Sequence, residues 1–139
     1  MTATPEAVAL ARSAAFAASE ALGTNIVALD VSLQLVVTDV FVIASAPSER
    51  QVLSIVDRVE ERLLREDGQK PVRREGKSGG RWVLLDYADI VVHVFVDEDR
   101  EFYALERLWK DCPVVDVAAA VAAAGAPAPP HEDWLRRDP

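Results

Sequence analysis

The chain has 139 residues, half of them hydrophobic, with 15 basic against 23 acidic side chains and a formal net charge of -8. That length suits one domain around a single core, and so much apolar content excludes disorder over most of it. The acidic surplus argues against a protein that grips nucleic acid directly, because that binding needs Lys and Arg to neutralise phosphates.

A single cysteine, Cys112, permits no internal disulfide and points to a reducing compartment. Placed just before Pro113, it reads as structural rather than nucleophilic. No apolar run approaches the roughly 18 residues that span a bilayer. The Ala-rich opening carries Glu6, Arg12 and Glu20, so it is not a secretory signal. The expectation is a cytoplasmic protein with no membrane partner.

Thr4 as N-cap and Pro5 at the first helical position predict a helix over about 5–22, with Gly23 as its stop. The short Val- and Ile-rich runs "NIVALDVS" and "DVFVIAS" predict two strands. In "SERQVLSIVDRVEERLLRED", Val52, Ile55, Val56, Val59 and Leu63 fall at helical spacing between a Ser48 cap and a Gly68 stop. "QKPVRREG" reads as an edge strand, since Pro and Arg suit an edge. "KSGG" is then a turn, and "WVLLDYADIVVHVF" is a hairpin.

"DEDREFYALERLWKD" predicts a final helix with an acidic start that suits the helix dipole. Phe102, Leu105, Leu108 and Trp109 would share one stripe, and Pro113 would end the helix. Residues 113–139 are rich in Ala and Pro and read as a mobile tail with a short helix over the Ala run, leaving one domain over 1–112. The order predicts a mixed α/β (α+β) fold, a sheet of about five strands with helices packed on it. Helices confined to one face would leave the other available for binding.

If Tyr87 and Ala88 form the hairpin turn, Asp86 opposes Asp89, Leu84 opposes Val91 and Trp82 opposes His93. Trp82, Leu84, Asp86, Val91, His93 and Phe95 then share one face, and Val83, Leu85, Tyr87, Val92 and Val94 share the other. Tyr-Ala is a poor two-residue turn, so the register stays open. Each residue also has a structural reading: Trp82 as core, His93 as a satisfied buried histidine, Asp86 and Asp89 as turn braces. Their coincidence on one face suits a protein interface, where aromatic anchors carry most of the energy.

An enzyme reading rests on Asp30, Asp39, Asp86 and Asp89 as carboxylates for a metal-dependent nucleotidyltransferase-like reaction. Neither strand presents acids two residues apart, "ASAPSER" has no glycine to cradle a phosphate, and "KSGGR" lacks a strand-to-helix setting. The expectation is that the chain is not an enzyme, with no catalytic residue, metal or cofactor. The one basic cluster, Lys70, Arg73, Arg74, Lys77 and Arg81, reads as a solvated edge strand, with a peripheral rRNA contact as its functional alternative.

"ALDVS", "TDVFVIAS", "SERQVLSIVDRVEE", "EG", "WVLLDYADIVVHVF" and "REFYALERLW" resemble, in order, the signatures of the ribosomal silencing factor (Iojap) family. The resemblance runs from roughly Ile26 to Trp109. The family often has Gly where Ala88 stands, and a Gly-containing strand end where this chain reads "ASAPS". The resemblance implies a nucleotidyltransferase-like fold without known catalysis. It also implies a homodimer that binds ribosomal protein fourteen of the large subunit on the intersubunit face, blocks subunit joining and represses translation. On the matched blocks it implies partner contacts at Trp82, Leu84, Asp86, Asp89, His93, Tyr103, Leu105, Glu106, Leu108 and Trp109.

Overall fold

The computed structural model describes residues 2–125. The Thr4 hydroxyl accepts a hydrogen bond from the Ala7 amide at 3.1 Å and starts α1 (Pro5–Glu20). This helix buries Ala7, Ala11, Ala14, Ala15, Ala17 and Ala18, and side chains that small let it lie close on its neighbours. Its left-handed stop is Leu22, at φ 67°, rather than Gly23. Gly23 is required for a different reason: a Cβ there would sit 2.8 Å from the Ala18 carbonyl oxygen.

The chain continues through β1 (Thr24–Asp30), β2 (Val40–Ala46), α2 (Glu49–Asp67), β3 (Arg73–Glu75), β4 (Trp82–Asp86) and β5 (Ile90–Val96). Ser48 caps α2 through the Gln51 amide and Gly68 closes it at φ 66°, as the sequence predicts. Every residue of β2 and of β5 is buried, the signature of central strands covered on both faces, and the two pair in parallel. The sheet is mixed, in the order β3-β4-β5-β2-β1-β6, so the expected α/β class stands with six strands rather than about five.

The sixth strand, β6 (Val114–Val115), pairs antiparallel with β1, and α5 (Ala118–Gly125) packs against α1. Ordered structure therefore continues past residue 112, the expected domain boundary. Pro113 offers its carbonyl to the Asp30 amide at 2.8 Å, Val115 and Val117 are buried, and Asp116 caps α5 through the Ala118 amide. A two-residue strand leaves no periodicity to read, whereas the helix over the Ala run is present as expected. The tail expectation for residues 126–139 lies outside the described residues.

One face of the sheet carries α1 and α2, whose Val52, Ile55, Val56, Val59 and Leu63 pack with Val83, Leu85, Val92 and Val94. The other face holds Leu29, Val31, Phe41, Ile43, Val91 and Phe95, partly covered from the 97–109 segment. The single final helix of the sequence reading is two helices, α3 (Asp97–Tyr103) and α4 (Leu105–Leu108), broken at Ala104 with φ 48°. The break divides the expected stripe. Leu105 and Trp109 turn under onto the second face, while Phe102 and Leu108 stay 78% and 75% exposed.

Candidate docking site

In the hairpin the Tyr87 amide donates to the Ile90 carbonyl at 2.9 Å, so Ala88 and Asp89 form the turn. Trp82 pairs with Phe95, Leu84 with His93 and Asp86 with Val91, two residues away from the expected partners. An even slip keeps every side chain on its face. Trp82, Leu84, Val91 and Phe95 therefore do share the second face, opposite Val83, Leu85, Tyr87, Val92 and Val94. The turn shifts because Ala88, smaller than Tyr87, takes the left-handed backbone at φ 71°, with its amide held by Asp86 Oδ1 at 2.8 Å. This is the position where the resemblance has Gly.

The second face builds a run of aromatic rings. Trp82 stacks on Phe95 at 4.6 Å between centroids and meets Tyr103 at 5.0 Å, while Phe41 meets His93 at 4.7 Å and Trp109 at 5.3 Å. Trp82 Nε1 donates to His93 Nδ1 at 3.2 Å, which fixes the indole against the strand below it. Tyr103, 53% exposed, continues the run into solvent and meets exposed Phe102 at 5.0 Å. The result is a platform in which half-buried Trp82 and Trp109 lie on buried Phe41, His93 and Phe95, with exposed aromatic and aliphatic groups at its edge, a composition suited to a protein partner.

Of the residues singled out from the sequence, Trp82 and Leu84 lie half-buried on this platform and Tyr103 and Leu108 are exposed beside it. Leu105 and Trp109 are half-buried supports from α4. Glu106 is half-buried and pairs with Arg100 at 2.9 Å. Asp86 braces the turn and lies 3.6 Å from Arg73, while Asp89 is exposed at the hairpin tip. His93 is a correction: only 4% exposed, it props Trp82 from beneath and offers no surface to a partner. Phe102, read from the sequence as part of the apolar stripe, is exposed, and the Leu33, Val36 and Val37 loop between β1 and β2, exposed by 68%, 102% and 79%, was not among the candidates. Polar Gln34 and Thr38 within "SLQLVVTD" hide that loop from a periodicity reading.

Because His93 Nδ1 accepts the Trp82 hydrogen bond, its Nε2 carries the proton and the ring is neutral. Burial pushes its pKa down from 6.5 to about 4. The unfolded chain thus takes up a proton at higher pH than the folded one. The contribution to stability is complete above pH 6.5 and is lost as pH falls toward 4, about 3 kcal/mol in all. Urea unfolding at pH 7 and pH 5 should differ by about 2 kcal/mol from this group, and His93→Gln, which keeps an acceptor for Trp82, should flatten that difference. An unchanged pH dependence in the variant would refute the assignment.

Three of the four carboxylates of the enzyme reading, Asp30, Asp39 and Asp86, are engaged in holding the fold, while Asp89 is exposed. Asp30 accepts from the Ser32 hydroxyl at 2.6 Å and from the amides of Ser32 and Ala3, and Asp39 accepts from the Thr4 amide at 2.9 Å. Burial works to raise the Asp30 pKa, but these hydrogen bonds outweigh it and hold the carboxyl below its ordinary range. Among the described residues there is no group of three or more His, Cys, Asp or Glu that could hold a metal ion. Four of the five cations of the basic cluster are paired: Arg73 with Glu75, Arg74 with Glu60, Lys77 with Asp57 and Glu60, and Arg81 with Glu49, Glu98 and Asp99. Cations neutralised in this way offer little to phosphates. No helix among the described residues is long and apolar enough to cross a membrane.

These features define an α/β domain with an aromatic face edged by exposed Phe102, Tyr103 and Leu108. Residues 4–137 match the family described as ribosomal silencing factor during starvation, and the chain belongs to that family. It is 38% identical over 104 residues to ribosomal silencing factor RsfS of Bacillus subtilis, covering 75% of this chain and 87% of that one. It is 37% identical over 98 residues to the same factor of Halalkalibacterium halodurans, covering 70% and 83%. A crystal structure of a Chromobacterium violaceum protein superposes with a TM-score of 0.70 at 33% identity, over 73% of this chain and 84% of that chain. A more distant relative is the mouse protein named for mitochondrial assembly of the ribosomal large subunit, 31% identical over 113 residues, of which this chain spans 48%.

Proposed function

We propose that this chain represses translation by docking on the large ribosomal subunit, through ribosomal protein fourteen on the intersubunit face, and keeping the small subunit from joining. The observation that supports this most is the aromatic platform, with Tyr103, Phe102 and Leu108 exposed around a Trp82 fixed from below, in a chain of this family. Charge favours the same partner. A basic ribosomal protein attracts a body of net charge -8, while rRNA repels it. Repression then requires no chemistry, because a folded body held across about 800 Å² of each partner excludes whatever must approach that surface. The reading places the protein in the cytoplasm as a homodimer, for which the exposed Leu33, Val36 and Val37 loop provides a second apolar patch.

Sedimentation of the purified chain with separated subunits tests the proposal. Co-migration with the large subunit alone is expected, together with fewer joined ribosomes when the small subunit is added afterwards. Migration with the small subunit, or normal joining at saturating protein, would sink the reading.

A further inference from the structure

In open α/β sheets ligands bind outside the carboxyl ends of the strands, where neighbouring parallel strands send their connections to opposite faces. Strands β2 and β5 are such a pair. β2 leads into α2 on the face of the first core, and β5 leads into α3 on the face of the second. A cavity of about 560 Å³ opens at that point, lined by Ser45 at the end of β2 and by Asp97 and Arg100 of α3. We propose that it binds a small zwitterion carrying one carboxylate and one ammonium group, such as a free amino acid.

The anchor is Arg100, whose side chain is only 8% exposed. Its Nη1 donates to the Thr24 carbonyl at 3.2 Å and to Ser45 Oγ at 3.0 Å, which fixes the guanidinium from the protein side. On the open side it meets Glu106, 2.9 Å from Nη2 and 39% exposed, borne on the single turn of α4. The cation is fixed and the carboxylate is replaceable. A ligand carboxylate offers the same two-pronged geometry, and Glu106 regains water when it leaves.

Once Glu106 turns away from Arg100, the cavity wall carries Arg100 and Arg107 against Asp97, Glu101 and Glu106. A freed arginine beside several carboxylates matches a molecule with one charge of each sign, its carboxylate on Arg100 and its ammonium toward the acids. A polyanion would face the three carboxylates, and a simple cation would face the two arginines. Two left-handed backbone positions lie at the same place: Asn25 and Ala104, both lining the cavity, are non-glycine residues at φ 50° and 48°. Left-handed non-glycine residues cluster at ligand sites because the surrounding structure must enforce them.

The test is an amide NMR titration of the full chain with L-alanine, using sodium phosphate and methylamine as probes that carry only one sign of charge. Saturable shifts at Asn25, Ser45 and Ala104 are expected with L-alanine, at concentrations where the single-charge probes produce none. Glu106→Gln removes the competing charge while keeping an acceptor for Arg100, and should tighten L-alanine binding about fivefold. Asp97→Asn, on the exposed rim, should weaken it. No saturable shift with L-alanine, equal response to phosphate or methylamine, or weaker binding in Glu106→Gln would each overturn the proposal. None of these results bears on docking to the ribosome, which the sedimentation experiment reads separately.

Discussion

The double variant Tyr103→Ala/Leu108→Ala is expected to bind the large subunit about 100-fold more weakly, a loss of ~2.7 kcal/mol, while unfolding at nearly the same urea concentration as the unaltered chain. Both side chains are more than half exposed, and the Tyr103 ring touches only the edge of the platform, against Trp82 and Phe102. Truncating groups that contribute little to the core costs the fold little. An aromatic that becomes buried only in the complex is different, because the whole of its burial is realised on binding. Trp82→Ala would be a weaker test. Trp82 also stacks on Phe95 and donates to His93, so its truncation costs about 3–5 kcal/mol of folding stability as well. If the double variant stays folded and sediments with the large subunit as before, the platform is not the docking face.

Much of this platform was legible because side-chain alternation along a strand survives an error of two residues in register. The faces of "WVLLDYADIVVHVF" came out right although each cross-strand pair was wrong, and the pairs were wrong because the turn rests on Ala88 and a side-chain brace from Asp86. The helices with side-chain caps, α1 and α2, were legible at their starts for a local reason: Thr4 and Ser48 bond within their own first turns. What escaped were features that depend on tertiary contact. The break at Ala104 has neither Gly nor Pro to announce it. It follows from Leu105 and Trp109 packing under the sheet while Arg100, four residues before the break, is pinned to Thr24 and Ser45. The placement of His93 below Trp82 rather than beside it is also tertiary, since an apolar strand looks alike in sequence whether one or both of its faces are covered.

Gly76→Ala is expected to be among the most damaging single substitutions in the chain, costing more than about 3 kcal/mol. Replacing Gly by Ala ordinarily stabilises a compatible site by about 0.4–1 kcal/mol, because the unfolded chain loses freedom. Two features reverse the sign here. Gly76 sits at φ 80°, and a Cβ built on it would run into the Trp82 carbonyl oxygen. That oxygen belongs to backbone, so it cannot swing aside as a side chain would. Either the turn after β3 opens or the start of β4 moves. Both displace Trp82, whose strand position is otherwise held by pairing with Phe95 and by the neighbouring bond from the Val96 amide to the Arg81 carbonyl at 2.8 Å. The variant should therefore unfold at lower urea and, where still folded, bind the large subunit less well. Gly79→Ala in the same turn is the control: its backbone is not left-handed and the nearest atom to an added Cβ is 3.9 Å away. It should be neutral or slightly stabilising, and equal urea midpoints for the two variants would show that Gly76 does not set the position of Trp82.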